Sequence, residues 1–425
     1  MAEPISPEKY VPVPSALQGI EVYAPAPVES PAHQPVVDFK CPQCGATTAF
    51  SVPDGGLTCT HCGYYEPPEK PVVGKGAQEF EFTVETMERA AHGWGEPRTE
   101  MECQNCGART SLPVGSLTST CAFCGSNKVI QREAPQDVLR PRFLIPFKSD
   151  ATKCSQLTRE WLESSWMTVS GLKRLSRLAE FSGVYLPFWT FDSITRAAWK
   201  AQVGHTKTER YYDNGEWKHR TVTEWRWESG QVQLQIDDLI VEGSQQLSRL
   251  LQEKLKDFNI SDLTPYEPKY LAGLQARAYD VPLEQAWESA RQQMRERTRQ
   301  ACTEQASSSQ IRNFSMDLDF SAESWRYILL PVYVAAYSYL DKTYQVMVNG
   351  QTGTIAGQRP VDWTRVGLVA ALIAAPGLLL CMLGLLTLIF GGVGAAIGAF
   401  GLFLLVIGIV IDVVIISKAM SLDDI

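Results

Sequence analysis

Apolar positions are spread unevenly along the chain. After Arg365 the run VGLVAALIAAPGLLLCMLGLLTLIFGGVGAAIGAFGLFLLVIGIVI carries no charge until Asp412. One helix of that length would measure about 69 Å, more than twice a bilayer core of about 30 Å, so the run predicts two transmembrane spans. We place them at 366–390 and 393–416, with a break at Gly391-Gly392 and a short tail over 417–425. Gly394, Gly398 and Gly401, with Ala395 and Ala399, give the second span a small-residue face that predicts close packing on the first.

Upstream, the periodicity alternates between strand and helix. FLIPF (Phe143 to Phe147) reads as a buried strand, and Ala151 to Leu178 has helical apolar spacing interrupted at Gly171. GVYLPFWTFDSITRAAWKAQV is rich in aromatic and β-branched residues and predicts one long strand or two successive ones. RYYDNGEWKHRTVTEWRW predicts a hairpin turning at Asp213-Asn214-Gly215. The order then recurs. ARAYDVPLEQAWESARQQMRERTRQACTEQ predicts a strand and a long helix, and in WRYILLPVYVAAYSY the segment LLPVY echoes YLPFW. YQVMVNGQTGTIAG closes the set with a hairpin at Asn349-Gly350. The expected fold class is α+β, with residues 140–362 forming a mixed domain of two duplicated strand-helix-strand halves.

The first 39 residues hold eight prolines and no recurring apolar pattern, which predicts a disordered or polyproline-like tail. Two cysteine units follow, at 40–70 and 101–133. Between them lies a spacer, 71–100, where EFEFTVETMERAAHGWGE predicts a strand over Glu79 to Val84 and a short helix ending near Gly93.

The cysteines add chemistry to this outline. CPQCGATTAFSVPDGGLTCTHCG returns 62 residues later as CQNCGARTSLPVGSLTSTCAFCG. Both read C-x2-C-x14-C-x2-C with glycine after each pair, the pattern of a zinc ribbon whose two knuckles aim four thiolates at one point. Cys41, Cys44, Cys59 and Cys62 are the expected ligands of one structural metal site, and Cys103, Cys106, Cys121 and Cys124 those of a second. Zn2+ is the expected ion; iron in a rubredoxin-like centre uses the same donors. Spacing leaves open whether knuckles pair within a unit or between units. His61 reads as an exposed knuckle residue and not a ligand. Cys154, Cys302 and Cys381 stand alone and read as inert.

Charge narrows the partners. The net charge is -8, and neither cysteine unit has clustered Lys or Arg: four acidic and two basic residues lie between Asp38 and Lys70, four of each between Glu96 and Glu133. Phosphate recognition needs such clusters, so protein contact is the expected use of the ribbons and nucleic acid is disfavoured. The tryptophans, including Trp225 and Trp227 in WRW, read as core in preference to a base-stacking platform. VGKGAQ around Lys75 lacks the spacing of a phosphate-binding loop, and G-x-S-x-G and H-E-x-x-H are absent. Catalytic residues are therefore expected to be none. MAEPISPEKYVPVP has no basic n-region or apolar h-region, and Arg359, Arg365 and Lys418 flank the spans whereas their turn has no Lys or Arg. These features predict a cytoplasmic-membrane protein with both termini in the cytoplasm, where paired thiols stay reduced.

The motifs HGWG (His92 to Gly95), CAFCGS (Cys121 to Ser126), IPF, GVYLPFWTFD, TPYEPKYLAGLQARAYDV, LLPVY and YQVMVNGQTGTIAGQRP resemble a family of bacterial membrane proteins with TFIIB-type zinc ribbons. Members are often labelled by transfer as primosomal protein N' or helicase-like. The resemblance covers about residues 90 to 362. It implies a membrane-anchored adaptor, with SPFH-like or PspA-like partners of phage-shock-type membrane-stress systems. The helicase label does not suit a chain without a nucleotide loop. A competing expectation is a nucleic-acid-binding accessory factor tethered to the membrane.

Overall fold

The computed structural model describes residues 10–13, 22–25, 39–67, 72–77, 79–82, 99–111, 121–133, 138–169, 181–213, 215–245, 255, 257–340, 342–387 and 392–423. Within the stretch expected to be disordered, β1 (Tyr10–Val13) and β2 (Val22–Pro25) pair antiparallel. The first cysteine unit forms a small sheet of β3 (Thr48–Ser51), β4 (Gly56–Cys59) and β5 (Tyr65–Glu66). In the spacer, β6 (Phe80–Glu81) is shorter than the expected strand; the helix expected to follow lies outside the described residues. The second unit comprises β7 (Thr99–Cys103), β8 (Arg109–Ser111) and β9 (Val129–Glu133).

The central domain follows. β10 (Phe143–Leu144) leads to α1 (Ala151–Glu163), whose first turn is capped by Asp150 accepting from the Lys153 amide at 2.7 Å. GVYLPFW opens one strand of 32 residues, β11 (Ser182–Asp213), not two. It turns back into the 27-residue β12 (Glu216–Glu242), and Gly215 takes a φ of 86° in that turn. β13 (Thr264–Pro265) and β14 (Gln275–Ala276) are short, α2 (Leu283–Gln305) is long, and β15 (Ile311–Tyr339), β16 (Lys342–Asn349) and β17 (Ile355–Gly357) complete the sheet. On α2, Leu283, Ala286, Trp287, Ala290, Met294, Thr298 and Cys302 are buried at helical spacing, which leaves its Glu and Arg residues the solvated face.

The register shows a duplication with quasi-twofold symmetry. β11 and β15 run antiparallel with Leu186 opposite Leu330, the corresponding leucines of YLPFW and LLPVY. β10 pairs parallel with Ile328 and Leu329, and β14 pairs parallel with Val184 and Tyr185. Hydrogen bonds repeat across the axis. The Ile145 amide donates to Leu329 O at 3.1 Å as the Arg277 amide does to Tyr185 O at 2.9 Å. Gly350 N reaches Pro331 O at 2.9 Å, and Gly243 N reaches Pro187 O at 3.0 Å. Phe147 packs on Tyr333 at 4.8 Å between centroids, and Tyr279 on Trp189 at 5.1 Å. The expected strand over ARAYDV shrinks to Gln275–Ala276, yet it keeps the hydrogen bonds of its counterpart FLIPF.

Both faces of the sheet centre are buried. Tyr185, Trp189, Trp325, Tyr327 and Leu329 face one core; Val184, Leu186, Phe188, Ile328 and Leu330 face the other. That double coverage explains why YLPFW and ILLPVYV run apolar without alternating.

α3 (Trp363–Leu386) and α4 (Gly392–Asp423) form the hairpin that the uncharged run predicts, two helices long and apolar enough to cross a membrane. α4 continues as helix to Asp423, into the stretch read as a tail. The helices touch through glycine: a Cβ at Gly384 would lie 2.4 Å from the Gly398 Cα, and one at Gly377 would lie 2.5 Å from the Leu405 amide. Leu379, Leu385 and Val393 point outward, 65%, 73% and 67% exposed. The hairpin joins the domain where Arg359 N donates to Leu422 O at 2.8 Å and where Val366 and Ala419 pack on Met167 and Val361.

Candidate metal centres

Each cysteine unit builds a knuckle twice, with matching hydrogen bonds. In the first knuckles the Gly45 amide donates to Cys41 O and the Gly107 amide to Cys103 O, both at 2.8 Å. In the second, Gly63 donates to Cys59 O at 2.9 Å and Gly125 to Cys121 O at 2.8 Å. All four glycines have φ between 69° and 76°. The residue after each C-x-x-C must enter the left-handed region to close the turn, and glycine does so without strain.

These turns bring Cys41, Cys44, Cys59 and Cys62 together, and separately Cys103, Cys106, Cys121 and Cys124. Within each set all four sulfurs lie within 4.8 Å of one another. Sγ of Cys41 is 3.4 Å from that of Cys62 and Cys44 is 3.6 Å from Cys59; in the second set the pairs Cys103–Cys124 and Cys106–Cys121 are at 3.5 and 3.6 Å. A tetrahedral ion about 2.3 Å from each thiolate would set its sulfurs about 3.8 Å apart, so either set can hold one metal ion. The knuckles pair within units. Backbone amides of Cys62 and His61 hold the Cys59 thiol down to about 6, whereas burial pushes the Cys106 thiol up to about 11. His61 is exposed and outside the sulfur group.

Both units are fastened to the central domain. Phe50 accepts the Tyr270 ring at 5.2 Å, and its amide donates to Ala272 O at 3.0 Å. Phe123, in the knuckle between Cys121 and Cys124, is 2% exposed, and its carbonyl accepts from Gln345 Nε2 at 2.8 Å. β8 joins the main sheet through Ser111 opposite Ala276.

A third cluster escaped the sequence reading. The carboxylates of Glu79, Asp192 and Asp237 lie within 4.8 Å of one another. Arg326, 1% exposed, ion-pairs with Asp238, reaches Glu79 at 3.3 Å and Asp192 at 3.6 Å, and donates from Nε to Thr190 at 3.1 Å. Burial pushes the Asp192 carboxyl up to about 7. The only trace in the sequence is a charge set inside each buried strand, Asp192 in FWTFDS and Arg326 in WRYILL. Cys154 and Cys302 are buried, and burial pushes the Cys154 thiol up to about 12.

No protein-family model matches the chain, and no solved structure matches it. It is 25% identical over 343 residues to a Bacillus subtilis (strain 168) protein named uncharacterized protein YdjG, across 77% of this chain and 91% of that one. Fold and sites together define an α+β protein with two four-cysteine groups and an apolar helical hairpin.

Proposed function

We propose that this protein is a membrane-anchored, non-catalytic adaptor whose two structural zinc sites shape a surface for protein partners on the cytoplasmic side. The observation that carries this reading is the seating of both four-cysteine units on the domain that leads into the hairpin. Four thiolates would fill a tetrahedral shell and leave no position for water or substrate, so each metal would act by fixing shape. Both ends of the hairpin lie at the domain, and Arg359, Arg365 and Lys418 beside them favour a cytoplasmic placement. SPFH-like or PspA-like proteins are the partners that the family resemblance suggests, with membrane stress as the setting.

The test is affinity purification from detergent-solubilised membranes at native expression. Specific proteins are expected with the wild-type chain and are lost with Cys121→Ser; recovery of none from wild type would defeat the adaptor reading.

A further inference from the structure

The β11–β12 hairpin outgrows the helix that covers it. α2 ends at Gln305, which accepts from Trp199 Nε1 at 2.7 Å, whereas the hairpin runs on to its turn at Gly215. Ala197, Trp199, Ala201 and Val203 point toward α2 and are buried, so by alternation Lys200, Gln202, Gly204 and onward to Tyr212 occupy the opposite face. The register places Trp227, Trp225, His219 and Trp217 of β12 on that same face.

Charge is divided between the faces toward the hairpin tip; nearer the sheet centre, Asp317 and Asp319 of β15 stand opposite Ala198 and Arg196 on the far face. Every carboxylate from Gly204 to Glu228, namely Glu209, Asp213, Glu216, Glu224 and Glu228, falls on the α2 side. There Lys218, Arg220 and Arg226 pair with Asp213, Glu209 and Glu224 at 2.7, 3.3 and 3.0 Å. On the far face, the cations meet indoles. Lys200 lies 4.8 Å over Trp227, Arg312 of β15 lies 4.1 Å over Trp225, and Arg210 lies 5.9 Å from Trp217. No carboxylate pairs with these three among the described residues. Trp217 and Trp227 are 65% and 54% exposed. The β12 edge beside this face has no second strand among the described residues.

Resting on the adaptor reading, we infer that this cation–indole face and the β12 edge dock an acidic, extended segment of a partner protein. The segment adds as a strand to β12, and its alternate carboxylates lie over Lys200, Arg210 and Arg312. Two other anionic occupants fit less well. Strong nucleic-acid binders make about six to ten phosphate contacts; three cations, backed by carboxylates one ribbon thickness away and within a Debye length of about 8 Å, fall short. A membrane surface lies at the wrong end. β15 runs away from the hairpin turn and β17, beyond β16, runs in the same direction, so the chain enters α3 at the far end of the sheet. Exposed Trp, Tyr and Arg on a flat face are what protein interfaces use as anchors.

The full chain in detergent micelles is titrated with a fluorescein-labelled 14-residue peptide of alternating Glu and Thr, with its Lys–Thr counterpart, with a 15-nucleotide oligo-dT and with vesicles rich in anionic lipid. Amide exchange is followed over β12. The Glu–Thr peptide should bind, should slow exchange between Trp217 and Gln235, and should weaken at least about tenfold with Trp225→Ala plus Trp227→Ala or with Lys200→Gln plus Arg312→Gln. Lys218→Gln on the opposite face should leave binding unchanged. No binding of the Glu–Thr peptide, equal binding of the Lys–Thr peptide, equal loss with Lys218→Gln, or the same protection from oligo-dT or vesicles would each overturn the inference. Peptide binding is measured without any cellular partner, so its failure is separate from a failed co-purification.

Discussion

At the scale of single residues, Asp192 and the knuckle glycines carry the sharpest expectations. The folded protein holds the Asp192 proton up to about 7 against an ordinary 3.8, because burial disfavours the carboxylate. Proton binding is therefore tighter in the folded state. The stability it contributes is complete below about pH 4 and is lost as pH rises through about 7. Thermal melts should show wild type losing stability relative to Asp192→Asn between pH 4 and 7 and running parallel to it above; a constant difference across that range would refute the assignment. Gly107→Ala has room for its methyl group but must hold a φ of 72°, at a cost of about 1–2 kcal/mol. It should lower metal affinity at the second site, measured by chelator competition, and leave the first unchanged. The cysteine ligands were legible because each knuckle is local: four residues and a glycine specify the turn. The Arg326 cluster was not, because Glu79, Asp192, Asp238 and Arg326 meet only through tertiary packing.

At the scale of elements, the apolar hairpin could be read from composition alone, and its contact face from the spacing of Gly394, Gly398 and Gly401, although Ala395 and Ala399, read as part of that face, are exposed. Gly384→Leu should drive α3 and α4 apart, since even a Cβ there would strike the Gly398 backbone. A cysteine pair across the interface, Ile373→Cys with Gly408→Cys, where a Cβ at 408 would sit 3.6 Å from the Ile373 side chain, would report this as a slower disulfide-trapping rate. The tryptophans divide in a way that periodicity could not decide. Trp189, Trp199, Trp287 and Trp325 are core, as read, but Trp166, Trp217 and Trp227 are exposed. A strand pattern tells which residues share a face and is silent about whether another element covers that face. Here Trp199 faces α2 and is buried, whereas Trp217 and Trp227 lie on the face that α2 does not cover. The second ribbon's hold on the sheet is also tertiary: Phe123→Ala should destabilise by about 3–5 kcal/mol, seen as a lower melting temperature with metal content retained.

At the scale of the molecule, metal and fold should be coupled. Both four-cysteine units dock on the domain, so removal of the ions by a chelator should loosen more than two small loops. Exchange at Ala272 and across Gln345–Val348 should quicken as metal is withdrawn, and metal analysis of the purified chain should give two zinc ions, falling to one in Cys121→Ser. A chain of independent beads would show no change in the domain. The duplicated halves were legible as an echo of LLPVY and YLPFW, although only the register shows that the echo is a symmetry axis.

That axis has a consequence for how such a chain can change. Two like halves meeting at Leu186 and Leu330 have the form of a small isologous dimer whose subunits were joined end to end. A true dimer must alter both copies at once and must fall apart on dilution. Joined, the halves stay paired at any concentration and are free to differ: one carries its hairpin as a long arm, and the other a short one that leads into the apolar helices. The long arm and the helical hairpin thus belong to different halves of one pattern.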